Sequence, residues 1–464
     1  MSTRQKKPAT VAKGSKLIRF SISLVAAAGL TWLLHEASYT VAQTEVLFLL
    51  LFSVSLWLTE AVPPFSVGLL IIAYLVYTLG FEKFTATPED IHVYTNTFSS
   101  PVIWLMLGGF FLASAMTKTK LDLDIIHITM KICGTNPKWI LAGMMAVTMI
   151  ASMLISNTAT TAMVVAALMP LLKKLGKNSP VSKALILGIP LSATTGGMGT
   201  LIGSPPNAIA AGALDSTGKP VDFITWIYYG LPVALLLTLT AWWVLVKIFM
   251  KVVEPISLHP KESESKDHNN SFPQRWIVIS VLVVTLLLWL TSPLLKLGAA
   301  AVSAVPLVLL PLTRVLSGED IRAMGWDTLI LVAGGLSLGI GLQHSGLLDL
   351  YAQRITALHV PDLGFFFLLA YVTMLFSNIM SNTATCTVLI PLGMAILPMQ
   401  QTEIAMIVGL SASTSLFLPV STPPNAIAYS TGLIEQKDFR TGGILIGLLG
   451  PALIVLWVLL LSLF

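Results

Sequence analysis

A chain of 464 residues with 55% hydrophobic residues, 11% charged residues and a mean hydropathy of +0.83 is not a soluble globule, because soluble domains carry charge on about 25% of their residues. Its formal charge of +5 does not indicate a nucleic-acid partner either. Residues 1–19 alone hold six basic side chains (Arg4, Lys6, Lys7, Lys13, Lys16 and Arg19) and no acid, as expected of a disordered cytoplasmic tail before a first membrane helix.

After this tail come apolar runs at 20–34, 45–58, 65–79, 226–250, 276–290 and 442–464. A span needs about 20 such residues. The first run is short and basic in front, like a signal peptide, but no small-residue cleavage site precedes the next run, and it reads as a membrane helix. Eleven crossings from an inside N-terminus, plus two hairpins that enter and leave on one side, place 23 of the 27 Lys and Arg residues in the cytoplasm. Lys83, Lys219, Lys296 and Arg354 remain outside, and Phe464 ends on the outer face. That asymmetry is what the positive-inside rule demands.

Two polar strings interrupt the apolar text, and each occurs twice. Ser156-Asn157-Thr158-Ala159-Thr160 returns as Ser381-Asn382-Thr383-Ala384-Thr385, and Pro205-Pro206-Asn207-Ala208-Ile209-Ala210 returns as Pro423-Pro424-Asn425-Ala426-Ile427-Ala428. Gly108-Gly109 precedes the first Ser-Asn-Thr by 48 residues, and Gly334-Gly335 precedes the second by 47. The expected plan is a tail (1–19), a first repeat over 20–250 with a hairpin at 139–172 and a broken helix at 182–214, a hydrophilic cytoplasmic linker at 251–275, and a second repeat over 276–464 with a hairpin at 363–398 and a broken helix at 403–434. The two copies start from opposite membrane faces, which makes the repeat inverted. Duplicated helix breaks in an inverted repeat point to a substrate site at the midplane of a secondary transporter. The stretches at 118–138 and 344–360 are spaced as surface helices, with Leu121, Ile125, Ile128 and Ile132 as an apolar stripe that would lie on the interface; plain connecting loops are the alternative.

The hairpin arms at 139–155 and 158–172 are short for full spans, which suits a re-entrant turn. Non-helical backbone at membrane depth survives only where protein or a wet cavity surrounds it. Ser, Asn and Thr suit a helix N-terminus, where free N–H groups and the helix dipole bind carboxylates or phosphates. In Gly203-Ser204-Pro205-Pro206-Asn207 and Ser421-Thr422-Pro423-Pro424-Asn425, proline breaks the helix and frees the carbonyls before it. Ser152 and Ser377 stand four residues before the tips, one turn back on the same face, where a hydroxyl can join tip carbonyls around a small hard cation. Two quasi-equivalent cation sites follow.

Residues 139–172 and 363–402 contain no Asp, Glu, Lys or Arg. Such a site does not repel a dianion and has to attract it through neutral dipoles and bound cations, so the cation should bind first. Alone, a Ser-Asn-Thr string is interhelical hydrogen bonding and a Pro-Pro pair is a kink; both, repeated in register, mark a site. Glu60, near Pro63-Pro64, is read as interfacial. Cys133 and Cys386 form no disulfide framework or metal spacing. No nucleophile–base pair, organic cofactor motif or other mark of an enzyme is present; an anion channel is the rival of another class.

The doubled Ser-Asn-Thr tips with doubled Ser/Thr-Pro-Pro-Asn breaks resemble the divalent anion/sodium symporter family, in particular its bacterial dicarboxylate members, over nearly the whole chain after the tail. The resemblance implies an all-α integral membrane protein of the bacterial inner membrane, a homodimer with scaffold and elevator-type transport domains. It implies co-transport of sodium with a C4 dicarboxylate such as succinate; sodium-independent exchange of di- or tricarboxylates and citrate or sulfate symport occur in the same family. Carried over by motif, Asn157, Thr158, Asn382 and Thr383 should meet the carboxylates, with Ser204, Pro205, Thr422 and Pro423 close by. One sodium ion should take Ser152, Ser156, Asn157 and Gly203, and the other Ser377, Asn382 and Ser421.

Overall fold

The computed structural model describes residues 13–82, 85, 88–177, 179–250, 272–356, 361–419 and 421–463, and every regular element among them is helical. Helices α1 (Lys13–Leu34), α2 (Val41–Thr59) and α3 (Pro64–Leu79) come first. Thr40 and Gln43 cap α2 reciprocally, a capping box that satisfies two N-terminal donors. At its other end Glu60 takes a left-handed conformation (φ 49°), a conformation that costs a non-glycine residue about 1–2 kcal/mol. Pro64 opens α3, its ring pre-set for the first helical position.

The chain continues through α4 (His92–Thr95), a 3-10 turn and α5 (Pro101–Lys118) to α6 (Leu121–Cys133), α7 (Pro137–Ser152), α8 (Asn157–Leu175), α9 (Pro180–Gly196), α10 (Pro205–Ser216) and α11 (Phe223–Phe249). Then come α12 (Phe272–Leu295), α13 (Ala299–Val302), α14 (Ala304–Leu312), α15 (Gly318–Arg322) and α16 (Trp326–His344). The chain closes with α17 (Leu347–Thr356), α18 (Asp362–Ile379), α19 (Asn382–Ile396), α20 (Gln401–Ser411), α21 (Pro423–Ser430) and α22 (Gln436–Leu461). From α5 to α11 and from α16 to α22 the order is the same: a double-glycine helix, a short helix, two arms around Ser-Asn-Thr, two half-helices around a break, and a long helix.

Nine helical units among the described residues are long and apolar enough to cross a membrane: α1, α2, α4–α5, α8, α11, α12, α16, α18 and α22. One of these, α8, is an arm expected to be short for a full span, and α18 is the first arm of the second hairpin. Helix α8 runs on through Lys173 and Lys174 to Leu175 and reaches 19 residues, so length does not separate a re-entrant arm from a span here. The basic tail is also shorter than expected, since α1 begins at Lys13; Arg19 donates to the Thr59 carbonyl (3.3 Å), and the Ser23 hydroxyl pairs with Thr59 (2.9 Å). Helix α12 likewise takes Phe272–Arg275 from the expected linker, where Arg275 pairs with Asp124 of α6; residues 251–271 lie outside the described ones.

Helix α6 turns most of the stripe read from the sequence outward. Ile125, Ile128 and Ile132 are exposed, while Ile126 and Asp122 are buried. The outer stripe suits lipid and the inner face lies against α7 and α8. Helix α3 packs tightly on α16 because a Cβ on Gly334 would come 2.3 Å from the Gly68 Cα; paired small residues permit such close approach of membrane helices. Helix α9, buried at every residue from Ala184 to Gly196, is the centre of the larger core and contacts α7, α8 and α11. A smaller core joins α1, α2 and α3 to parts of α16 and α17.

Candidate functional site

The repeated strings fold locally as their chemistry dictates. The Ser156 hydroxyl accepts from the Ala159 amide (3.2 Å) and caps α8, and the Ser381 hydroxyl accepts from Ala384 (3.1 Å) and caps α19. Asn157, Thr158, Asn382 and Thr383 therefore occupy the first turns, where backbone N–H groups have no intrahelical partner and the helix dipole is positive. At the first break α9 tightens into a 3-10 turn (Gly197–Gly199), opens over 200–204 and restarts at Pro205. The Asn207 amide donates to the Gly197 and Thr200 carbonyls (2.7 Å each) and closes that loop on itself, while the Trp226 indole donates to Met198 (2.9 Å). The second break repeats the clamp with Asn425, which donates to Leu418 (3.0 Å), and with Thr422, which accepts from the Asn425 amide (3.3 Å).

These four pieces meet. Asn157, Thr158, Ser204, Pro205, Asn382, Thr383, Thr422 and Pro423 all line one cavity of about 710 Å³, and so do Ser156, Gly203 and Ser421. That volume lies in the range of small-molecule sites. Thr158 and Thr383, 225 residues apart in the chain, thus face a common space. Ser152 and Ser377 do not reach the cavity; both are fully buried behind the tips.

Behind the first tip, oxygen atoms converge. The Ser152 hydroxyl donates to the Ala193 carbonyl (2.6 Å), and the Asn157 amide group lies 2.7 Å from Ser152 Oγ and 3.2 Å from the carbonyls of both Ala193 and Gly203. The amide is satisfied when its NH2 faces these oxygens. A small cation set among them could take the place of that NH2, with the Asn157 oxygen turned inward. The second tip differs from the expected quasi-equivalence. Ser377 Oγ is buried without a hydrogen-bond partner, Asn382 Oδ1 accepts from Ser415 (2.9 Å) instead, and Ser421 bonds to both the amide and the carbonyl of Leu418.

Several site residues escaped sequence reasoning. Thr194, buried with an unpartnered hydroxyl, lines the cavity; it stands in the last turn of α9, outside the doubled strings. Ser415 lies in an unrepeated stretch. Asn207 and Asn425 were legible inside the doubled Pro-Pro-Asn but carried no assigned role. Glu60, read as interfacial, is exposed and lines the cavity, as do Phe110 of α5 and Thr328 of α16. A second cavity of about 380 Å³ lies toward the other ends of α5 and α16, at Pro101 and at Gly339–Gln343. It contains none of the tip or break residues, which is why the first cavity is the functional candidate.

Comparisons with known proteins place the chain among membrane transporters. A family model described as citrate transporter (CitMHS) matches residues 54–406. An uncharacterized transporter of Haemophilus influenzae is 32% identical over 426 residues, covering 87% of this chain and 88% of that protein. The sodium-dependent dicarboxylate transporter SdcS of Staphylococcus saprophyticus is 29% identical, with 89% and 84% covered, and the sodium-dependent high-affinity dicarboxylate transporter 3 of Caenorhabditis elegans is 28% identical, with 87% and 80% covered. Among solved structures, MtrF of Neisseria gonorrhoeae, described as an antimetabolite efflux pump, aligns with a TM-score of 0.57 at 12% identity over 88% of this chain and 96% of its own. The Alcanivorax borkumensis YdaH transporter gives 0.51 at 13% over 87% and 98%. At such identity they share the fold alone. The chain belongs to the citrate-transporter family within the divalent anion/sodium symporters: it is a multi-pass membrane transporter, and its relatives are transporters rather than enzymes.

Proposed function

We propose that the protein is a sodium-coupled symporter that brings C4 dicarboxylates such as succinate into the cell. The observation that carries this reading is the single cavity in which the tips and breaks of both halves face one another. Two α-helix N-termini, α8 and α19, offer amides and hydroxyls to an anion there, and no Lys or Arg is among the described lining residues. An anion bound by neutral dipoles alone gives up much of its hydration for a modest return, so cations bound behind the tips supply the balancing charge. Asn157, with Ser152, Ser156 and Gly203, holds one sodium ion, and Ser377, Asn382 and Ser421 hold the other. The unpartnered buried Ser377 hydroxyl supports the second site.

The two halves are an inverted repeat over 20–250 and 276–464, with eleven crossings in the bacterial inner membrane, the N-terminus cytoplasmic and the C-terminus outside. Two cavities toward opposite ends of α5 and α16 support alternating access, with hairpins and breaks as an elevator-type transport body moving against a scaffold in each protomer of a homodimer. The citrate description of the matching family model favours a second reading, citrate transport through the same cavity. Uptake of labelled succinate and citrate into proteoliposomes, with and without an inward sodium gradient, decides between them. Concentrative succinate uptake that needs sodium supports the first reading. Counterflow that runs equally well in choline makes the protein an exchanger.

A further inference from the structure

The cavity built from uncharged tips has one ionisable side chain among its described lining residues, and its sign is negative. Glu60 stands at the end of α2, apart from the hairpins and breaks. Its backbone is held in the left-handed region three residues before Pro63-Pro64 opens α3, and α3 in turn is locked to α16 by the Gly68–Gly334 contact. The carboxylate is exposed and engaged by no hydrogen bond or ion pair among the described residues. A surface glutamate needs no partner, but this one faces the space meant for an anion.

We propose that Glu60 is a charge gate at this cavity: a fixed carboxylate that weakens the hold on a bound anion in proportion to the anion's charge, and so sets trianions apart from dianions. The inference rests on the dicarboxylate reading above. Coulomb repulsion is linear in the charge of the ligand, so removing the Glu60 charge should benefit a trianion by the three-halves power of the factor that a dianion gains. If succinate binds about fourfold tighter, citrate should bind about eightfold tighter, because each free-energy gain scales with charge. No basic side chain among the described lining residues offsets it.

The test is isothermal titration of succinate and of citrate into the purified full chain in sodium buffer at about pH 8, where succinate is a dianion and citrate a trianion. Glu60→Gln should tighten both ligands and raise the citrate-to-succinate affinity ratio, whereas Glu60→Asp should keep the wild-type ratio. Glu60→Asn serves if the glutamine variant does not fold, since asparagine accepts the left-handed conformation. An unchanged ratio in a folded neutral variant, or tightening by the same factor for both ligands, overturns the gate while leaving the transporter assignment intact. Wild-type protein that binds neither acid would instead overturn the dicarboxylate reading and the gate with it.

Discussion

Replacing Asn157 by alanine tests the site most directly. The amide group has three neighbours within hydrogen-bond reach, Ser152 and the carbonyls of Ala193 and Gly203, and neutral bonds of this kind contribute about 1 kcal/mol each. The scaffold should lose less than the full set, because Asn157 is only half-buried and Ser152 keeps its own bond to Ala193 (2.6 Å). A stability loss of about 1–2 kcal/mol is therefore expected, too little to prevent insertion. Binding should suffer far more. A hydrogen bond to a charged ligand is worth about 1.5–3 kcal/mol, or roughly 10- to 150-fold in affinity, and the cation loses an oxygen as well. Sodium-driven succinate uptake into proteoliposomes should fall to background, while the elution profile and thermal unfolding stay close to wild type. Asn382→Ala should behave alike. Uptake within about twofold of wild type in both variants would refute the assignment of the tips.

Three further substitutions separate the site from the fold. Gly197→Ala places a methyl carbon against the Asn157 side-chain amide at an ordinary helical φ of −55°, so it should displace the amide and abolish uptake with little change in Tm; retained uptake would show that Asn157 tolerates displacement. Ser377→Ala removes an unpartnered buried hydroxyl, should leave Tm unchanged or slightly higher, and should raise the sodium concentration for half-maximal uptake severalfold, about 1 kcal/mol for one lost oxygen ligand; an unaltered sodium dependence would remove this residue from the cation site. Burial pushes the Asp122 carboxyl above its ordinary range, against bonds from the Leu123 amide and Thr117. A carboxyl raised in the folded state favours folding below its unfolded value and loses that contribution as pH rises through the folded one. Asp122→Asn should therefore raise Tm near neutral pH, by about 1–2 °C in a chain this long; a lower Tm would mean that the ionised form is the one α6 needs.

Much of the local structure was legible because its causes are local. Ser156 and Ser381 announce helix starts, Pro205 and Pro423 announce restarts after a break, and the apolar content between them leaves only helices as an economical way to satisfy the backbone in a membrane. Spacing exposed the repetition of these signals. Legibility stopped where a residue's role depends on what another segment brings to it. The Leu121–Ile132 stripe has helical periodicity whichever face is turned inward, and only the fit of α6 against α7 and α8 chose Ile126 and Asp122 for burial. The doubled Ser-Asn-Thr strings look equivalent, yet Ser152 is bonded to Ala193 and its counterpart Ser377 has no partner among the described residues.

By itself, then, the sequence determined an all-helical chain with two capped tips and two proline-broken helices in a repeating order, since caps, breaks and hydropathy act over a few residues. The tertiary structure alone decided that these four pieces share one cavity, that Asn207 and Asn425 brace the breaks, and that Glu60 lines that same cavity. Those facts depend on contacts between segments far apart in the chain, and no local preference encodes which distant backbone a side chain will meet.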